Sequence, residues 1–371
     1  MGLSQWAKQI PTNGKAKIIM TESNLRLFFI FIIAFLMAFS STPIVSMLAG
    51  KIGAIDVPND ERRAHSKPIP RLGGLAIFYG FIVAVLCLSE IDMKLQGILI
   101  GSVIIVIVGI MDDMMDLNAF VKLFFQIIAA VIVVMHGVTI EIFTNPFMGG
   151  QYIPLGLLSI PITIIWIVGI TNAVNLVDGL DGLAVGISSI TAMSIFFISL
   201  IMGEYTISLL TAALVGACFG FLPFNFYPAK IFMGDTGSTF LGFVLASISI
   251  MGLFKVYAVL SFAVPFIVLG LPIFDTVFAI IRRLKNGQSP MQPDRGHLHH
   301  RLIDMGFSQK RAVMILYTTS GLLSLSAVVM MFTGSFFRTL ILIVAVLILI
   351  VAGANFYITA RNMAKSNEES Q

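Results

Sequence analysis

The sequence predicts an all-α integral membrane protein of about eleven transmembrane helices, with cytoplasmic active-site loops and a small external β-hairpin. Three observations carry that expectation. Of the 371 residues, 57% are hydrophobic and only 11% are charged, whereas a soluble domain carries about 25% charged residues to face water. The mean hydropathy is +0.97. Apolar runs long enough to cross roughly 30 Å of hydrocarbon recur along the whole chain. The lipid bilayer is therefore the first partner, and a net charge of only +4 gives no reason to expect nucleic acid.

Taken in order, the apolar runs place helices at 26–48, 71–89, 96–111, 119–136, 157–173, 182–202, 206–223, 235–252, 256–280, 312–333 and 336–358. The run at 96–111 is the shortest, and the division between the sixth and seventh rests on Gly203. Residues 1–25 form a polar, extracytoplasmic N-terminal segment, 26–358 one polytopic domain, and 359–371 a cytoplasmic tail. The first apolar run is a full span with no small-residue cleavage site after a short apolar core, so no removable signal peptide is expected. Cys87 and Cys218 lie inside apolar runs and make neither a disulfide framework nor a CxxC metal site.

Eleven spans put the termini on opposite sides. One side takes 49–71, 112–122, 172–182, 224–234, 282–311 and the tail, which carry 16 of the 23 Lys and Arg residues. The positive-inside rule makes that side cytoplasmic. The acids Asp112, Asp113, Asp116, Asp178, Asp181 and Asp235, with His297, His299 and His300, all fall on the same side. The opposite loops are short, except 137–156, where 138–143 and 152–157 flank Asn145-Pro146 and Gly149-Gly150 as a small external hairpin.

Five segments carry chemistry. In 109–116 (GIMDDMMD), Asp112 and Asp113 are adjacent and Asp116 follows one helical turn later. Carboxylates clustered at a low-dielectric boundary repel one another unless a cation intervenes, and an all-oxygen set favours Mg²⁺ or Mn²⁺ over zinc. In 172–184 (NAVNLVDGLDGLA), two Asp-Gly pairs allow tight turns that bring N–H groups near a ligand, while Asn172 and Asn175 add amides. In 225–238 (NFYPAKIFMGDTGS), Asp235 and Ser238 open a helix, where free N–H groups favour phosphate. An aspartate there would repel phosphate unless a metal bridged them. In 292–301 (QPDRGHLHHR), three histidines with Arg295 and Arg301 suit an anion, with zinc as the rival ligand. In 62–74 (RRAHSKPIPRLGG), Lys67 and the arginines precede a defined turn. Each acid alone also reads as a helix cap or solvated helix end, and the basic stretch as a membrane anchor.

Taken together and in order, these segments resemble the polyprenyl-phosphate N-acetylhexosamine-1-phosphate transferase superfamily (glycosyltransferase family 4) from about residue 56 to 301. The resemblance implies an Mg²⁺-dependent phosphotransferase of the bacterial cytoplasmic membrane, with Mn²⁺ as the other candidate ion. It matches Asp112 and Asp113 to the first acidic pair and Lys122 to the phosphate-contacting lysine. Asp178 and Asp181 match the Asp-Gly-x-Asp-Gly acids, which with Phe232 would cradle uracil. Asn225 precedes Asp235, the position resembling the Mg²⁺ ligand, and His297, His299 and His300 match the late histidine motif.

The histidine loop, interrupted by Leu298, resembles the N-acetylglucosamine branch rather than the phospho-N-acetylmuramoyl-pentapeptide branch, which has three consecutive histidines. The implied donor is UDP-N-acetylglucosamine and the acceptor undecaprenyl phosphate, giving UMP and a lipid-linked diphosphate sugar that initiates a surface glycan of teichoic-acid or O-antigen type. Family analogy alone suggests a homodimer. Asp112 or Asp113 would act as base in a single displacement, or as nucleophile through an aspartyl phosphate. The alternatives are the pentapeptide transferase and, in another class, an ion-coupled transporter, whose ionisable residues would lie near the bilayer midplane in paired repeats.

Overall fold

The computed structural model describes residues 14–57, 68–145, 151–252, 263–289 and 296–333. Its helices are α1 (Gly14–Ile52), α2 (Gly73–Leu88), α3 (Met93–Met115), α4 (Ala119–Met135), α5 (Ser159–Val177), α6 (Leu183–Met202), α7 (Tyr205–Asn225) and α8 (Gly234–Gly252). After them come α9 (Ala263–Val268), α10 (Gly270–Lys285), α11 (Leu298–Asp304) and α12 (Gln309–Thr333). Two short antiparallel pairs accompany them: β1 (Ile55–Asp56) with β2 (Ile69–Pro70), and β3 (Ile142–Asn145) with β4 (Gln151–Pro154).

Among the described residues, seven helices are long and apolar enough to cross a membrane: α1, α3, α5, α6, α7, α8 and α12. The apolar helices α2 and α4 are shorter. This is the all-α membrane architecture that composition predicts. The expected span at 336–358 and the start of the one at 256–280 lie outside the described residues, as do the turn of the hairpin, the tail and residues 1–13.

Helix α8 is the centre of the bundle. Every residue from Thr236 to Gly252 is buried, as expected of a helix enclosed on all sides. It packs against α2, α3, α5 and α6. Its first turn comes close to two neighbours through glycines. A Cβ on Gly74 of α2 would overlap the backbone of Gly237, and one on Gly109 of α3 would meet Thr236 Cα at 2.5 Å. Small residues let membrane helices approach backbone to backbone, so the start of α8 is clamped between α2 and α3.

The first helix begins at Gly14, twelve residues before the predicted span, and so includes part of the expected polar N-terminal segment. Three further boundaries differ from expectation, each for a physical reason. Helix α3 runs past residue 111 to Met115, because Asp112 and Asp113 are buried with partners and need not leave the helix for water. Asp116 ends it in the left-handed region, at φ 48°. Helix α5 continues to Val177, so Asn172 and Asn175 lie on a helix rather than in a loop. Their amides bond across to neighbouring helices, which removes the cost of carrying them past the apolar stretch. The predicted 256–280 span is interrupted at Leu269, between α9 and α10. Pro272 has no N–H to give Val268 O, and that carbonyl instead accepts from Thr191 Oγ1 on α6, at 3.3 Å.

Candidate active site

The first turn of α8 organises the acids. Gly234 enters the helix at φ +70°, and a Cβ there would overlap Arg71 O and the Asp113 carboxylate, so this turn needs glycine. Asp113, from α3, lies directly over the helix start. Its Oδ1 accepts from Asp235 N at 2.9 Å, and its Oδ2 accepts from Thr236 N at 3.0 Å and Thr236 Oγ1 at 2.7 Å. The Arg71 guanidinium stands 3.7 Å from Asp113 Oδ1 and 3.9 Å from Asp116 Oδ1. Asp113 thus satisfies two N–H groups that a helix start leaves unpaired.

Asp112, one residue earlier, points to a different place. Its Oδ1 accepts from Leu117 N at 2.8 Å, and its Oδ2 receives the Lys122 ammonium at 2.7 Å. The same ammonium reaches Asp235 Oδ2 at 3.2 Å. Asp235 Oδ1 accepts from Asn175 Nδ2 at 2.8 Å, and that amide also donates to Ser238 Oγ at 2.8 Å. Asn172 pairs with Gln126 of α4, donating to Oε1 at 2.6 Å. Four helices, α3, α4, α5 and α8, therefore meet at one cluster of two carboxylates bridged by one cation.

The Asp-Gly loop between α5 and α6 lies beside this cluster. Burial, then the negative charges of Asp235 and Asp113, push Asp178 up to about 8. Asp181 Oδ2 accepts from Ala229 N at 2.9 Å. Asn225 is 3% exposed. Its Oδ1 accepts from Gly182 N at 3.1 Å and its Nδ2 donates to Ile231 O at 2.9 Å, so it ties two loops together. Phe232 is half-buried, and its backbone bonds Pro70 O and Gly73 N, which hold β2 against the entry to α8.

The histidine segment packs onto α10 and the Asp-Gly loop. His297 is buried and its Nδ1 donates to Asp275 Oδ2 at 2.9 Å. His299 stacks parallel to His297 with centroids 5.9 Å apart, and its ring is 4.2 Å from that of His300. A Cβ on Gly179 would overlap His299 Nε2, so the imidazole lies directly on the Asp-Gly turn. Burial, then the nearby His300, pulls His299 down to about 4, which keeps it neutral. Arg301 is exposed in the last turn of the segment's short helix. Lys67 and Arg295 lie outside the described residues.

Sequence reasoning left out Arg71, Thr236 and Asp275. Thr236 adjoins an acid and gave no separate signal, and Arg71 was one of several basic residues in its stretch. Asp275 did have a signal: it is an acid within a membrane-length apolar run, which is costly without a partner.

A cation fits this donor set. Among the described residues no three His, Cys, Asp or Glu side chains converge as a self-sufficient metal cage. Mg²⁺ does not require one, since it is commonly held by one or two carboxylates with water and substrate phosphates. Asp112 and Asp235 are such a pair, and the Lys122 ammonium already bridges them.

Comparison with known proteins places this arrangement. Residues 95–253 match the model for "Glycosyl transferase family 4". A Bacillus subtilis protein named "Probable undecaprenyl-phosphate N-acetylglucosaminyl 1-phosphate transferase" is 43% identical over 313 residues, covering 84% of this chain and 87% of the relative. The chain belongs to glycosyl transferase family 4. Two further family members are similar over most of their length. The "Decaprenyl-phosphate N-acetylglucosaminephosphotransferase" of Mycolicibacterium smegmatis is 36% identical, covering 86% of this chain and 85% of its own. The "Undecaprenyl-phosphate alpha-N-acetylglucosaminyl 1-phosphate transferase" of Escherichia coli K12 is 26% identical, covering 75% and 76%. The family match runs from α3 to the end of α8 and so includes the acids from Asp112 to Asp235.

Proposed function

We propose that this enzyme transfers N-acetylglucosamine 1-phosphate from UDP-N-acetylglucosamine to undecaprenyl phosphate. An oxygen of the lipid phosphate attacks the phosphorus that bears the sugar. The bridging P–O bond to UMP breaks, leaving a lipid-linked diphosphate sugar that initiates a surface glycan. The observation that carries this reading is the Asp112–Lys122–Asp235 cluster at the ends of apolar helices, in a chain that aligns with named N-acetylglucosamine-1-phosphate transferases over most of its length. A lipid headgroup and a soluble nucleotide can meet there.

The residues divide the work. Asp113 spends both oxygens on the start of α8, which favours Asp112 as the carboxylate that orients or deprotonates the lipid phosphate. Lys122 neutralises phosphate charge and holds Asp112 and Asp235 together meanwhile. Asp235, with Asp112 beside it, would hold Mg²⁺, or Mn²⁺ in its place. When bound, that ion offsets diphosphate charge and stabilises the departing UMP. His297, His299, His300 and Arg301, with Lys67 and Arg295, are read as donors to the substrate's remaining anionic and polar groups. The stretch from Asp178 to Asp181, with Phe232, is read as the uracil cradle.

The same reading places the site on the cytoplasmic face of the bacterial membrane, because the loops on its side, with the C-terminal tail, hold 16 of 23 Lys and Arg residues. It retains eleven crossings, counting the shorter α2 and α4, the broken α9–α10 pair and the segment 336–358. The β3–β4 pair then forms the external hairpin. Residues 1–25 are extracytoplasmic, 359–371 cytoplasmic, and a homodimer follows by family analogy.

The test follows UMP release by purified protein in detergent with undecaprenyl phosphate and Mg²⁺. Release with UDP-N-acetylglucosamine, stopped by EDTA and absent with UDP-N-acetylmuramoyl-pentapeptide, is the expected result. Release with the pentapeptide donor alone would overturn the choice of sugar, and EDTA-resistant turnover would overturn the role given to the metal.

A further inference from the structure

Asp275 is an acid that the reaction described above does not use, and it lies where an acid is costly. It occupies the buried stripe of α10 formed with Leu271, Ala279 and Arg283, and it is 4% exposed. A carboxylate left alone there would be strongly unfavourable. The chain brings it two donors from a segment more than twenty residues further on. His297 Nδ1 donates to Oδ2 and Leu298 N donates to Oδ1, each at 2.9 Å. Neither oxygen is left without a bond.

The consequence concerns the imidazole. Its two nitrogens lie on opposite sides of the ring, so tying Nδ1 to α10 turns Nε2 away from that helix. A carboxylate accepts and cannot donate, so it also specifies Nδ1 as a protonated nitrogen. His299 lies parallel to His297, at an interplanar angle of 9°, and its Nε2 edge rests on Gly179, next to Asp178. His299 Nε2 is buried and finds no hydrogen-bond partner among the described residues. A continuous line of contacts thus runs from Asp275 through His297 and His299 to the acid loop.

We propose that Asp275 is a positioning residue for sugar-phosphate transfer: it fixes the orientation and tautomer of His297 so that Nε2 meets the substrate, and seats His299 against the Asp-Gly loop. This rests on the proposed function. In Asp275→Asn the amide has one acceptor atom for two donors. If that oxygen keeps Leu298 N, the NH₂ faces His297 and demands the other tautomer. If it keeps His297, Leu298 N loses its partner.

The experiment is a double-mutant cycle on detergent-purified protein, read by UMP release and by thermal melting, with Asp275→Asn, His297→Gln and the pair. Asp275→Asn is expected to lower kcat by roughly 10- to 100-fold, by analogy with the loss of a residue that orients a metal-ligating histidine. The KM for UDP-N-acetylglucosamine should stay within about threefold, since a positioning loss falls on the reacting state. The double variant should be no slower than His297→Gln alone. Asp275→Glu, which keeps the acceptor pair on a longer stem, should recover part of the loss, and it replaces the asparagine variant in the cycle if that one does not fold. Losses that multiply, an unchanged kcat, or a fall in folded fraction that accounts for the whole loss would overturn the proposal. If wild-type protein released no UMP, the functional reading would fall and this inference with it. With wild-type turnover intact, multiplied losses would remove the inference alone.

Discussion

Replacing Asp113 by asparagine keeps the size of a side chain that is fully buried but removes one of its two acceptor oxygens. The native carboxylate accepts from Asp235 N on one oxygen and from Thr236 N and Oγ1 on the other. The amide can turn its oxygen to only one of these groups, and in either orientation its NH₂ meets a backbone N–H. If the oxygen stays on Thr236, the lost bond to Asp235 N is a hydrogen bond to a charged group, worth about 1.5–3 kcal/mol. The Arg71 contact at 3.7 Å adds little, on the order of 0–1 kcal/mol for a partly exposed pair. Relief of repulsion between Asp113 and Asp235 offsets some of this. At about 2.1 cal/mol/K of unfolding entropy per residue, a net loss of about 2–3 kcal/mol in a chain of 371 residues corresponds to a melting point lower by roughly 3–4 °C. Turnover should fall as well, because Asp235 hangs on the residue whose N–H is released, and a displacement of about 1 Å at a reacting centre can cost on the order of 100-fold. Thr236→Val, which removes only the hydroxyl bond, should give a smaller loss of both. The assay pairs thermal melting with UMP release at saturating substrates. Asp113→Asn protein that melts like wild type yet has lost turnover would refute the reasoning, since Asp113 would then be acting on the substrate rather than through α8.

Two other predictions concern the histidine segment. Gly179→Ala places a methyl group on the His299 ring; overpacking at such a contact costs about 1–3 kcal/mol. UMP release should drop at least about tenfold as His299 is displaced from the acid loop, and wild-type turnover would show that the contact carries no function. For pH, His299 sits at about 4 in the folded protein against an ordinary 6.5, so the unfolded chain binds the extra proton first. Its contribution to stability is complete above about pH 6.5 and disappears as pH falls toward 4, on the order of 3 kcal/mol over that window. Melting curves of wild type and His299→Gln, recorded from pH 7.5 to 4.5, should diverge in slope, and parallel curves would contradict the assignment.

Much of this protein is determined by local sequence. Apolar runs identify membrane helices because lipid leaves the backbone no partner but itself, and the structure places helices at most of the predicted runs within the described residues. Gly203, at φ +72°, ends α6 where the sequence suggested a division. The acids could be named for a similar reason: carboxylates at membrane-helix ends are costly, and their clustering implies a cation.

What each acid does was decided by tertiary structure. Asp112 and Asp113 are adjacent, but successive helix residues point about 100° apart. One consequently faces Lys122 and the other faces the start of α8, more than 120 residues away in sequence. Asn172 and Asn175 remained helical because distant partners on α4 and α8 satisfy their amides. Asp275 acquired its role only when the histidine segment folded back onto α10. Apolar burial acts on every residue of a run and shows as a pattern along the chain. A hydrogen bond between helices depends on where two particular atoms come to rest, and packing alone specifies that.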